Sequence, residues 1–217
     1  MKEDSFVLEI KMELHLFQNK TPHMKLNKYI VQFLLAIFCF SPYLGQGQLK
    51  VFANNGSLKI EGTSTMHDWH MASDQGKSEA IMNLSGDKLI TVTALVFSVG
   101  SETLKSTKGV MMDKIAYKAL KSATYPTISF QMIASTITPV DAITYNFKGT
   151  GYMTVGGNKR VTDLLATIKY NSAEKSFTSS GVKTIKMSDY DIEAPSFAFG
   201  TIKTGNDIQV HFNIKLK

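Results

Sequence analysis

The chain has 217 residues, a formal net charge of +6 at pH 7 and one cysteine. One cysteine excludes an internal disulfide framework, and the length leaves room for a single domain with a sizeable core. The lysines are scattered (Lys50, Lys59, Lys77, Lys88, Lys105, Lys108, Lys114) with no basic cluster interleaved with aromatics. Nucleic acid is therefore not an expected partner.

The first 47 residues read as a leader. Met24, Lys25 and Lys28 make a short basic start, and "YIVQFLLAIFCF" at 29–40 is an almost wholly apolar run of 12 residues. Pro42 breaks any helix, and Gly45 and Gly47 are spaced for cleavage. These are the parts of a secretory signal peptide. The run falls short of the roughly 20 residues of a membrane-spanning helix, which disfavours an uncleaved anchor. Upstream, Glu3, Asp4, Glu9 and Glu13 do not suit such a signal, so Met24 reads as the true start. Cys39 follows Ile37 and Phe38, where a lipoprotein anchor needs small residues, and it leaves with the leader. The expected mature domain is 48–217, periplasmic or secreted, without thiol chemistry.

Beyond residue 48 alternation of period two dominates. A turn at "NNG" (54–56) precedes "GTSTMHDWH" (62–70), which holds two histidines, an aspartate and the only tryptophan. A turn at "SGD" (85–87) leads into "KLITVTALVFSV" (88–99), which is apolar on both faces and so needs an outer cover. The segment 110–121 is the one helix, with Met112, Ile115, Ala116, Ala119 and Leu120 in one stripe. It is expected across the mouth or wall of the sheet, over that doubly apolar strand. Pro126 cannot extend the helix and opens the next strand.

"TISFQMIAS" then places Ile128, Phe130 and Met132 on one face. "TYNFKGTGYMTV" does the same with Tyr145, Phe147, Met153 and Val155, and its Gly149 and Gly151 predict a bend or bulge. After "GGN" (156–158), "TDLLATIKY" offers Leu164, Ala166, Ile168 and Tyr170. After "TGND" (204–207), "DIQVHFNIKL" sets Ile208, Val210, Phe212, Ile214 and Leu216 against Gln209, His211, Asn213 and Lys215. Half-buried strands, one helix and regular turns predict an all-β antiparallel barrel or sandwich.

The inward faces give a candidate apolar lining: Ile128, Phe130, Met132, Tyr145, Phe147, Met153, Leu164, Ile168, Val210, Phe212 and Ile214. Alternation reports a buried face, and a self-packed core and an open tunnel fit it equally. If 62–70 is a strand, His67 and Trp69 share a face with Thr65, opposite Asp68 and His70. His67 and Asp68 then point apart and form no dyad, and the two imidazoles are split, unlike a zinc-binding pair on a helix. Trp69 is expected as a wall element whose indole N–H needs an acceptor. His67 is expected beside it, as a wall histidine or a polar contact to a ligand's head. No metal and no cofactor are expected. Arg160 and Asp163 are close enough in sequence to pair at the surface.

Four stretches in this order, "GTSTMHDW", "MDKIAYKALKSATYPTISF", "GTGYMTVGGNKRVTDLLATI" and "KMSDYDIEAPSFAFGTIKTGNDIQVHFNI", resemble the YceI-like family of secreted polyisoprenoid-binding proteins. The resemblance covers 48–217, and Ser-Thr-x-His-Asp-Trp marks one branch of that family. It implies a lipocalin-like extended barrel of about eight strands whose apolar tunnel holds a polyisoprenoid or another amphiphilic lipid chain.

The reading that follows is a carrier for a long-chain lipid, without turnover. One alternative is an enzyme acting on a lipid or small ester through Ser64, His67 and Asp68, and another is a stress-related interaction module with a filled barrel. A scattered positive surface admits transient contact with a membrane surface. An exposed barrel edge or the helix admits a homodimer.

Overall fold

The computed structural model describes residues 46–217. The leader reading, with Met24 and Cys39, lies outside them. Ten strands follow in chain order: β1 (Gln46–Ser64), β2 (Trp69–Ser85), β3 (Lys88–Gly100), β4 (Lys105–Ser106), β5 (Thr127–Pro139), β6 (Thr144–Val155), β7 (Asn158–Asn171), β8 (Ser176–Lys186), β9 (Ser196–Phe197) and β10 (Ile202–Leu216). One α-helix, α1 (Val110–Ala119), lies between β4 and β5. Eight long strands pair in the order β1-β10-β8-β7-β6-β5-β3-β2, and β2 pairs back to β1. The sheet thus closes on itself as an antiparallel barrel, as the resemblance implies and as one of the two architectures that the alternation admits. Closure leaves no terminal strand with a wholly free edge, apart from the stretches where two ladders stop short.

The short turns after β2, β5 and β7 lie at one end of the barrel, with both ends of the described chain. A cluster of Val51, Ala80, Met82, Leu89, Tyr145, Ile168, Tyr170, Phe177 and Leu216 plugs this end. Tyr170 stacks on Phe177 with ring centroids 4.7 Å apart. The Leu89 N–H donates to the Tyr145 hydroxyl at 3.1 Å, so the phenol is satisfied within the plug.

The long connections lie at the other end. The excursion from β3 to β5 is clamped at its base, where the Ser101 N–H donates to the Pro126 carbonyl at 2.7 Å. Within it α1 turns Ala116 and Leu120 toward Leu58, Met71, Val99 and Leu104. The connection from β8 to β10 adds Met187, Tyr190 and Ile192, which pack with Val155 against Ala119 and Leu120. The helix therefore caps the mouth of the barrel and does not cover the outside of β3. Ile90 and Val96, on that outer face, are 51% and 46% exposed. The expectation of an outer cover fails there, because β-branched residues suit a twisted sheet whether or not the second face is buried.

Two ladders stop short. β3 and β5 pair only where 96–100 meets 127–131, and β7 and β8 only where 167–171 meets 176–180. Below the first break a bulge at Ile133 re-aims β5, and the Ser135 hydroxyl crosses to the Val92 carbonyl at 2.6 Å. The second break has no such bridge in its middle.

Candidate functional site

Between the plug and the cap the inward side chains do not meet. The space they leave is a cavity of about 120 Å³. One water needs roughly 10–15 Å³ of such space, so the room is on the order of ten waters. Its walls are apolar apart from Ser78, Ser129, Ser179 and Lys183.

The void has a local cause. Phe97, Phe130, Phe147 and Phe212 all line the bore. Each lies against a glycine of its own or a nearby strand: a Cβ at Gly76, Gly151, Gly149 or Gly181 would meet the respective ring at 2.6 to 2.8 Å. With no side chain beneath them, the four rings lie back on the wall and do not project across the centre. The glycines signalled a bend in the sequence, and in the fold they are also recesses for rings.

Among the expected lining residues, Ile128, Phe130, Phe147, Met153, Leu164, Ile168, Val210, Phe212 and Ile214 line this bore. Met132 packs against the plug from its edge and Tyr145 is part of the plug itself, so neither reaches the open space. The bore also takes Leu58, Ile60, Met82, Val92, Leu95, Leu120, Val155, Ile185, Ile208 and Leu216. Ile208 and Leu216 lie on the inward face already recognised in β10. Leu58 and Ile60 on β1, Met82 on β2 and Ile185 on β8 follow the same period-two spacing, and that spacing is the signal that marks them as inward.

A second, smaller space lies under α1, lined by Trp69, Met71, Leu104, Met112, Ile115 and Ala116. It shares Ile60, Leu120 and Ile208 with the main bore, so those three side chains form the partition. Trp69 belongs to this upper chamber. The residue is half-buried, and its indole N–H donates to the Thr63 carbonyl at 3.1 Å.

His67 is elsewhere. The strand reading of 62–70 fails because β1 ends at Ser64 and β2 begins at Trp69. Between them the Ser64 hydroxyl accepts from the Met66 and His67 N–H groups at 3.3 and 3.1 Å and donates to the His67 carbonyl at 2.7 Å. A serine that satisfies local backbone in this way stabilises a turn against a strand. His67 is exposed on that turn, and its Nδ1 lies 3.0 Å from the Asp68 backbone carbonyl, away from the bore. It is not part of the barrel wall and does not line the bore. The Ser64 hydroxyl is bonded to backbone, so Ser64, His67 and Asp68 do not form a nucleophile–base relay. Among the described residues no group of three or more His, Cys, Asp or Glu could hold a metal ion.

Arg160 and Asp163 do not pair with each other. The Arg160 Nε donates to the Asp189 carbonyl at 2.8 Å, and its Nη2 lies 3.7 Å from Asp191. Asp163 faces Lys148 at 2.9 Å and accepts from Thr150 at 2.7 Å. Strand alternation places residues three apart on opposite faces, which is why the expected pair does not form.

A model of the YceI-like domain family matches residues 44–216. Among solved structures the chain is similar to Burkholderia cenocepacia BcnA, with a TM-score of 0.57 at 19% identity over 74% of this chain and 95% of that one. It is similar as well to a polyisoprenoid-binding domain from Saccharophagus degradans implicated in plant cell wall breakdown, with a TM-score of 0.56 at 13% identity over 79% of this chain and 99% of that one. At these identities the likeness establishes the fold. Comparison with curated proteins gives no match.

Proposed function

The chain belongs to the YceI-like family, and from that premise we propose that it holds a long-chain amphiphilic lipid, polyisoprenoid or fatty-acid-like, in its barrel. The observation that carries this reading is the apolar bore left open between a packed plug and a helical cap. Each CH2 removed from water contributes about 0.8 kcal/mol, so a segment of about ten carbons gains roughly 8 kcal/mol before ordering costs. Such a site needs no reacting group, and the proposed action is binding without turnover.

The proposed location is the periplasm or the exterior, reached through the leader. Transient contact with a membrane surface fits a carrier that must collect and deliver its lipid. No helix among the described residues is long and apolar enough to cross a membrane. A homodimer through α1 is a further proposal, tested by sedimentation of the purified protein.

Mass spectrometry of an organic extract of the purified protein tests the carrier reading. A co-purifying long-chain lipid is the expected result. Absence of any lipid, together with failure of the delipidated protein to take up a long-chain alcohol or acid, sinks it and favours the interaction module.

A further inference from the structure

We propose that the interrupted ladder between β7 and β8 is a side window into the bore, and that Lys183 on its frame binds the oxyanion head, carboxylate or phosphate, of the lipid within. This rests on the carrier reading above and adds the class of head group and its place.

The geometry begins with the missing hydrogen bonds. Residues 158–166 of β7 and 181–186 of β8 have no cross-strand partners in each other, although both strands continue. The break is framed at both ends. Below, the ladder resumes at Thr167 and Ser180. Above, the connection after β8 is tied to β7 by Asn158, whose amide donates to the Tyr190 carbonyl at 2.7 Å, and by the Arg160 bond to Asp189. Gly181 still approaches the Leu165 carbonyl, so the opening lies above that pair, between it and the upper ties, where an outer pocket meets Lys183 and Ile185.

Lys183 and Ile185 line both the bore and an open polar pocket on the outside of this break. The outer pocket also takes Arg160, Thr162 and Ser188. Along β8, alternation puts Ser179, Gly181, Lys183 and Ile185 on the inward face. A lysine at an inward position of an apolar wall buries its stem and keeps its ammonium at the opening.

Among the described residues no carboxylate lies within ion-pair distance of Lys183. The charged groups around it are Arg160 beside it in the outer pocket, Asp189 across that pocket, and Asp163 on the outer face of β7. Asp163 is engaged by Lys148 and Thr150, and Arg160 faces the Asp191 carboxylate at 3.7 Å while its Nε donates to the Asp189 backbone carbonyl; among the described residues the Asp189 carboxylate has no ion-pair partner. A cation without a partner, where a greasy bore meets water, suits an amphiphile whose chain lies inside and whose anion stays at the rim. The outer rim is itself apolar: Val161, Leu165 and Val182 are 61%, 59% and 50% exposed. A chain sliding through the window would meet hydrocarbon on the way in.

Calorimetric titration of the delipidated protein with dodecanoate, dodecyl phosphate and dodecan-1-ol tests this. The expected result is that one or both oxyanions bind about tenfold or more tighter than the alcohol, as a charge-assisted hydrogen bond provides. Lys183→Met, which keeps the stem and drops the charge, is expected to abolish that preference, so that the oxyanions bind no tighter than the alcohol. Lys183→Arg is expected to retain it. The tighter of the two oxyanions identifies the head. Equal binding of all three probes to the native protein, or a preference that survives in Lys183→Met, overturns the proposal and leaves the carrier reading standing. Binding of none of the three overturns both.

Discussion

The Phe147 ring lies against Gly149, two residues further along the same strand, and a Cβ placed on Gly149 would meet the ring at 2.6 Å. Apart from the ring, the nearest atom to that Cβ is the Met132 Sδ at 3.7 Å. A methyl group there can be accommodated by swinging the phenyl into the bore. Gly149→Ala is therefore expected to fold, at a cost of about 1–3 kcal/mol from overpacking, and to lower the affinity for dodecan-1-ol about tenfold. Urea denaturation and calorimetry read the two effects. Unchanged affinity would show that Phe147 does not set the bore's width.

Gly62 and Trp69 form a tighter pair. They are cross-strand partners at the mouth of the barrel, and a Cβ on Gly62 would fall inside the indole. The indole is also held by its bond to Thr63, so it cannot move freely aside. Gly62→Ala is expected to destabilise by about 1–3 kcal/mol in a urea melt. Trp69→Phe should cost less in the same melt, about 0.5–1.5 kcal/mol for the lost hydrogen bond, together with whatever packing the smaller ring gives up.

The turn that carries His67 makes a contrast between neighbours. His67→Ala is expected to leave lipid affinity unchanged, because the imidazole is exposed and faces away from the bore. Ser64→Ala removes the acceptor of two N–H groups and is expected to cost about 1 kcal/mol of stability. A loss of binding in His67→Ala, read by calorimetry, would restore a role for the histidine.

Alkaline pH tests the cap. The Lys105 ammonium donates to the Tyr117 hydroxyl at 2.7 Å, and Tyr117 in turn faces the Glu102 and Leu104 carbonyls. The hydrogen bond to Tyr117 raises the Lys105 pKa above its ordinary 10.5. A raised lysine value contributes stability that is fully present below 10.5 and is lost as pH rises through the raised value. Tyr117→Phe is expected to remove this share of the alkaline decline in the urea midpoint. Both chains falling in parallel would refute the linkage.

Acid pH tests the plug end. Lys215, 2.7 Å away, donates to Glu174 and holds its carboxyl below the ordinary 4.5, with Ser176 assisting. A depressed carboxylate contributes stability above 4.5 and loses it as pH falls through the lowered value. The pair is exposed, so the effect is small and is screened by salt. Lys215→Met is expected to move the Glu174 titration, followed by NMR, back toward the ordinary value.

Much of the architecture is present in the order of residues. Alternation in 207–216 assigns Ile208, Val210, Phe212, Ile214 and Leu216 to the inside, and every one of them lines the bore. The stripe on 110–121 marks the helix, which ends at Ala119. A period of two follows from the pleat alone, and a period of 3.6 from the helix alone, so both can be read without a partner.

What lies inside the barrel depends on distances between segments far apart in the chain. Phe212 leaves the centre clear because Gly181, from another strand, lies beneath its ring. Tyr145 is an inward residue like Phe147, yet it fills the plug while Phe147 borders the void. Lys183 gains its place because the hydrogen-bonded pairing of β7 and β8 stops above Thr167. His67 lost its expected role to one hydroxyl, Ser64, which bends the chain before a strand can continue. Local periodicity fixes which way a side chain faces. Only closure of the sheet, with its register and its breaks, decides what each side chain meets there, because that depends on non-local pairing and packing.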